Sequence, residues 1–205
     1  MNQVIAHPEL VTRANRGFMY CNTNFALLAL IIEKLTGKDY PTYIKENIFT
    51  PLGMDHSYVF SQKDTGRYQP SYYPNNRPYL LEKFDCIYGD KNIYSTVRDI
   101  LLWDKALYQG SFISQTTLQL AFMPNSNDRP SIHNYGLGWR MLNQPDQKII
   151  YHNGWWHGNN SVFSRFIKDT ATIIVLGNRF NRNIYKAKNI AASFLAGSDT
   201  TALAE

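Results

Sequence analysis

The hydrophobic period of this chain changes once, and that change limits its architecture more than any other feature. Up to about residue 122 the apolar residues recur at helical spacing. From Tyr135 onward they fall in short runs separated by polar turns, as strands do. Phe25, Leu28, Ile32 and Leu35 predict a helix over Thr23–Leu35, capped by Asn22 or Thr23 and stopped at Gly37. Leu27, Leu30 and Ile31 widen its apolar face, so it should be largely buried. A second helix is expected over Pro41–Phe49, with Pro41 in its first turn and Pro51 ending it. Thr96 and Asp99 stand in capping-box spacing at the head of a third helix that stops at Gly110. A fourth runs from Ser114 to about Phe122. Between them, Gly53–Asp90 is rich in Tyr, Pro and Asn and reads as irregular.

The strand half is expected as Tyr135–Leu142, Lys148–His152, Ser161–Ile167 and Ala171–Leu176, the last two joined by a short turn at Lys168, Asp169 and Thr170. A closing helix over Ile184–Leu195 carries Ala187, Ile190, Ala191 and Phe194 on one face. Helices, then an antiparallel meander, then a helix is an α+β order. It divides the chain into a mostly helical region, 1–134, and a region of strands plus closing helix, 135–205, within one structural domain. With 205 residues, 44% of them hydrophobic, the chain can bury a core and is not a disordered segment. The longest apolar run, Phe25–Ile32, falls far short of the roughly 20 residues that span a bilayer.

The net charge of +5 is spread along the chain. Its densest group, Arg179, Arg182, Lys186 and Lys188, reads as a solvated face, so no nucleic-acid partner is expected. Cys21 and Cys86 form no C-x-x-C pair, and Cys21 is expected to serve packing. His152 and His157 lack a carboxylate at ligand spacing, so no metal and no cofactor is expected.

Five short motifs in order then carry a resemblance. Tyr20-Cys21-Asn22 opens the first helix, followed by Pro51-Leu52-Gly53-Met54. The segment Gly89–Asp104 includes Tyr94-Ser95-Thr96 and Trp103. Tyr135-Gly136-Leu137-Gly138-Trp139 and His152-Asn153-Gly154 complete the series. Together they resemble the serine β-lactamase-like and penicillin-binding family, which includes class C β-lactamases, D-alanyl-D-alanine carboxypeptidases and related esterases. The resemblance implies a β-lactamase/transpeptidase-like fold and hydrolysis through an acyl-serine. It also implies a periplasmic or extracellular place in bacteria, although no signal peptide opens the chain.

The family's nucleophile is a Ser in Ser-x-x-Lys, one helical turn apart. No Ser in this chain has a Lys three positions on. Thr42-Tyr43-Ile44-Lys45 is a look-alike that follows Tyr-x-Asn instead of preceding it, and reads as helix surface. The chain is therefore expected to be a C-terminal portion of the family, either a piece of a longer reading frame or a short relative. Alone it should be inactive, with an incomplete sheet whose bare edge is open to self-association.

By the same resemblance, Tyr20 would be the proton-shuttling phenol and Asn22 would hydrogen-bond the substrate amide. His152 would stand where many relatives carry Lys, which favours peptidase-like or esterase-like branches over a true antibiotic-resistance enzyme. Gly154 would let substrate approach the strand. The N–H of Trp155 would be an oxyanion donor, with Asn153 and Trp156 beside it in substrate binding. The partner is then a small-molecule or peptide substrate, peptidoglycan-like, an ester or a β-lactam. A non-catalytic penicillin-binding-like module, keeping the pocket without a nucleophile, is the alternative.

Overall fold

The computed structural model describes residues 17–66, 68–128 and 130–194. They group into two compact units, Met1–Tyr68 with Leu80–Asp99, and Gln69–Tyr79 with Ile100–Glu205.

The first unit opens with helix α1, Asn22–Thr36. Gly37 stops it in the left-handed conformation, at φ 69°, as its sequence predicts. The N-cap is Cys21, not Asn22 or Thr23, and Asn22 is the first helical residue. Helix α2, Tyr40–Ile44, is capped by the Asp39 side chain, which accepts from the Thr42 N–H. A π-helical turn, Lys45–Phe49, continues it. Strands β1, Tyr58–Val59, and β2, Ile93–Tyr94, pair antiparallel.

The burial expected for α1 is only partly met. Ala26 and Ala29 are its buried residues, while Leu28, Ile31 and Leu35 are 55%, 51% and 81% exposed. The cause lies in the backbone around Gly89. A Cβ there would stand 2.6 Å from the Phe25 carbonyl and 2.7 Å from the Ala29 Cβ. The chain crosses α1 on its small-residue face, so Leu28, Ile31 and Leu35 stay outside while Phe25, Leu27, Leu30 and Ile32 are half-buried.

Helix α3, Val97–Gln109, starts at the Thr96–Asp99 cap; the Asp99 N–H donates to Thr96 Oγ1 at 3.1 Å. Helix α4, Gln115–Ala121, is capped by Ser114. Five strands follow in the second unit: β3 (His133–Tyr135), β4 (Arg140–Asn143), β5 (Lys148–Trp156), β6 (Asn159–Phe166) and β7 (Ala171–Gly177). Each pairs antiparallel with its sequence neighbour, in the order β3-β4-β5-β6-β7. The expected α+β order is present, and among the described residues the sheet is an open one whose edges are β3 and β7.

The run Tyr135–Leu142 is two strands and not one. Gly136 N–H bonds the Trp139 carbonyl at 2.8 Å, closing a turn between them. A Cβ on Gly136 would lie 2.2 Å from the Ala121 carbonyl, so only glycine lets this turn pass the end of α4. The closing helix is a 3₁₀ helix, Arg182–Ser193; Leu195 lies outside the described residues. Ala187 and Ala191 are buried, whereas Ile190 and Phe194 are 53% and 81% exposed, contrary to the single apolar face expected.

One side of the sheet carries a core of Leu142, Ile149, Phe166 and Ala191, with Tyr151, Ala171 and Ile173 against it. The other carries stacked Trp103 and Trp139 rings, 5.6 Å apart, with Phe163 beside both.

Candidate active site

The Tyr-x-Asn motif sits where α1 begins. Tyr20 is 37% exposed and its ring tilts against Phe25. Asn22 is exposed on the first turn. Cys21, expected to pack, is half-buried. The Thr23 hydroxyl and the Thr23 N–H pull its thiol below the ordinary value of 9.0; burial opposes them and the Asn24 N–H assists. These contacts are looser than a closed capping hydrogen bond.

His152, Asn153, Gly154, Trp155 and Trp156 all lie on β5, which runs four residues beyond the expected end at His152. Strand β4 pairs with β5 only as far as Arg140 opposite Tyr151. From His152 to Trp156, β6 is the one strand partner among the described residues. The ladder fixes which amides face the bare side. Gln144 and Gln147 exchange backbone bonds at the β4–β5 turn, 3.0 and 3.3 Å. Antiparallel pairs alternate, so Leu142–Ile149 and Arg140–Tyr151 exchange the next ones. The amide groups of Lys148, Ile150, His152, Gly154 and Trp156 therefore face β6, and the bond from Ile167 N–H to the Lys148 carbonyl agrees with this. Those of Asn153 and Trp155 face the bare edge. The amide expected to be an oxyanion donor, Trp155 N–H, points away from the sheet's interior.

His152 is half-buried and both ring nitrogens are engaged. Nδ1 lies 2.9 Å from the Asn153 carbonyl, and Nε2 lies 3.2 Å from the Tyr135 hydroxyl. A carbonyl only accepts, so Nδ1 carries the proton and Nε2 accepts from Tyr135. Burial lowers the pKa of His152 from 6.5; the Asn153 carbonyl works against this and the Arg140 charge adds to it. The imidazole is thus held neutral, and it differs in kind from the permanent cation of a Lys. Tyr135 is the residue that sequence reasoning passed over. Its signal was its place in the Tyr-Gly-x-Gly-Trp motif.

A Cβ on Gly154 would come close only to the Ser161 Oγ across the ladder, a hydroxyl that can rotate away, so packing alone does not demand glycine there. Asn153 Oδ1 is buried without a hydrogen-bond partner among the described residues, an acceptor open to a ligand N–H. Trp155 is 62% exposed; its indole N–H bonds the His157 carbonyl at 3.0 Å. Trp156 packs against His157, which turns the chain at φ 52°.

Ser57, Asp99 and His56 imitate a nucleophilic triad in the first unit, and their geometry rejects it. Ser57 is buried and donates to Asp99 itself at 2.7 Å, not to the imidazole. Burial works against ionisation of Asp99, but bonds from Ser57, the His56 N–H and Thr96 outweigh it and hold the carboxyl below its ordinary range. This is a helix-start cap.

The Beta-lactamase family pattern matches residues 1–197. Penicillin-binding protein 4* of Bacillus subtilis (strain 168) is 33% identical over 87% of this chain and 44% of its own length. The Teichoic acid D-alanine hydrolase of Staphylococcus aureus (strain MRSA252) is 30% identical over 58% of this chain and 28% of its own length. Among solved structures, a penicillin binding protein from Bacillus halodurans superposes with a TM-score of 0.81 at 19% identity, covering 95% of this chain and 62% of that one. The chain spans less than half the length of the curated relatives it matches. Matched over all but its last few residues, this chain belongs to the β-lactamase family.

Proposed function

We propose that this chain is the proton-transfer and substrate-binding portion of a serine hydrolase. The reaction is cleavage of an ester or amide through an acyl-serine, and the nucleophile lies outside these 205 residues. Family membership supports a serine-hydrolase chemistry. The observation that carries the reading is the bare segment of β5, with Trp155 N–H facing outward where an acyl oxygen can be met. Tyr20 serves as the proton-transferring phenol, Asn22 hydrogen-bonds the substrate amide, and Asn153 takes part in substrate binding. Gly154 keeps the strand open, with Trp156 at its end. His152, neutral and hydrogen-bonded, orients this edge; it does not pair with a substrate carboxylate as a cation would. A substrate without a carboxylate at that point, such as a D-alanyl ester, fits that arrangement. The Staphylococcus aureus relative is named for that chemistry.

The test uses a short-chain nitrophenyl ester and a chromogenic β-lactam. The isolated chain should show no turnover above its Tyr20→Phe variant. A chimera joining it to the part of Penicillin-binding protein 4* left uncovered by the match should hydrolyse the ester and lose this on Tyr20→Phe. Turnover by the isolated chain sinks the missing-nucleophile reading. A folded chimera indifferent to Tyr20→Phe sinks the assignment of Tyr20. Thermal stabilisation by ligand with no turnover in the chimera would favour the non-catalytic module.

A further inference from the structure

The proposed oxyanion donor is one end of a peptide group whose other end is also held. The Tyr185 hydroxyl donates to the Gly154 carbonyl at 3.0 Å. Asn160 Nδ2 in turn donates to the Tyr185 hydroxyl at 2.8 Å, and the Asn181 N–H donates to Asn160 Oδ1 at 3.0 Å. Asn160, in the middle of the row, is only 2% exposed, while Tyr185 and Gly154 are half-buried and Asn181 is exposed.

No described peptide is cis, so the carbonyl and N–H of the Gly154–Trp155 peptide point in opposite directions. The carbonyl faces β6 and Tyr185; the N–H faces the bare edge. A bond donated to the carbonyl draws electron density from the nitrogen and makes the N–H a stronger donor, the cooperative effect of linked hydrogen bonds. The row Asn181, Asn160, Tyr185, Gly154 therefore ends at Trp155 N–H. Tyr185 comes from the 3₁₀ helix after β7, in a segment that no motif marks.

We infer that Tyr185 is a positioning residue for the oxyanion site, fixing the Gly154–Trp155 peptide and strengthening its outward N–H. This rests on the assignment of Trp155 N–H as the donor. The role is electronic as well as steric, since Tyr185 never needs to touch substrate.

The test reads that peptide directly in the isolated chain by NMR. Tyr185→Phe, which removes one oxygen, should move the Gly154 carbonyl ¹³C and the Trp155 amide ¹⁵N upfield. Both shifts should exceed those along the rest of β5. Replacing Tyr185 by 3-fluorotyrosine makes the phenol a stronger donor. Measured below neutral pH, where the phenol stays protonated, it should move the same two signals downfield. Opposite signs from two near-isosteric rings are not produced by a packing role. Shifts of the same sign, or none at this peptide in a folded protein, would overturn the inference. No substrate is involved, so an inactive chimera would count against the acyl-transfer reading and leave this result standing.

Discussion

A single side chain decides what charge the β5 edge can present. His152 binds the Asn153 carbonyl through Nδ1 and takes the Tyr135 hydroxyl at Nε2. Burial holds its pKa below 6.5, so the folded protein resists protonating it. The unfolded chain then binds the proton more readily, and the sign follows. The stability from neutral His152 is complete above about 6.5 and disappears as pH falls through the lower folded value. An NMR titration of the imidazole should give a midpoint below 6.5. Tyr135→Phe removes a donor that only the neutral ring can use at Nε2, so its midpoint should rise. A wild-type midpoint at or above 6.5, or a fall in the variant, would contradict this account. Cys21 makes a second point at this scale. Its thiol is drawn below 9.0 by Thr23, and thiolate is the reactive form. In a Cys86→Ala background, the pH midpoint for iodoacetamide labelling should lie below 9.0; a midpoint above it would return Cys21 to a packing role.

Elements show why the sequence disclosed some features and hid others. The stop at Gly37, the cap of Thr96 with Asp99 and the helix start at Ser114 were legible because each acts within one turn; the cap of α1 was not, since Cys21 stands where Asn22 or Thr23 was expected. Strand pairing was legible in β6 and β7 because a short turn joins them, whereas the last four residues of β5 were not read as strand. The open face of α1 was not, because the backbone at Gly89, far along the chain, chose Ala26 and Ala29 over the larger side chains. Tyr185 was hidden for the same reason, since its partner Gly154 is distant in sequence. Among the described residues no strand pairs with the outer edge of β7, and this edge carries the partner expectation. The ladder alternation that aims Gly154 at β6 also aims Ala171, Ile173, Val175 and Gly177 at β6. The N–H groups of Thr172, Ile174 and Leu176 face outward. We propose that this edge pairs with a second copy of the chain, as uncovered apolar edges do. Ile174→Pro removes an outward donor while sparing the β6 ladder. Sedimentation should show association in the parent chain that weakens in Ile174→Pro. A parent that stays monomeric at high concentration, or a variant that associates equally, would remove the proposal.

At the scale of the whole molecule, the second unit holds one buried charge pair that is costly to break. Arg165 Nε lies 2.6 Å from Asp104 Oδ1, with side chains 1% and 4% exposed. Thr172 donates to the other carboxylate oxygen at 2.7 Å, so α3, β6 and β7 meet at one group. The guanidinium also stacks 4.2 Å over the Tyr108 ring. Such a pair gains little over an apolar substitute, because both ions have left water, but breaking it strands the survivor. Asp104→Ala leaves Arg165 charged inside the protein, and should cost about 3–5 kcal/mol in denaturant unfolding. Replacing both partners, Asp104→Leu with Arg165→Met, removes the stranded charge and should recover most of that loss. If the double variant is as unstable as the single one, the pair holds these elements by geometry no apolar contact can supply. If Asp104→Ala costs under about 1 kcal/mol, water reaches Arg165 and the interior is less closed than its burial indicates. The predicted order, parent near the double variant and both above the single one, follows from desolvation alone. It makes this pair costly to break by halves, and not a source of net stability over apolar side chains of similar volume.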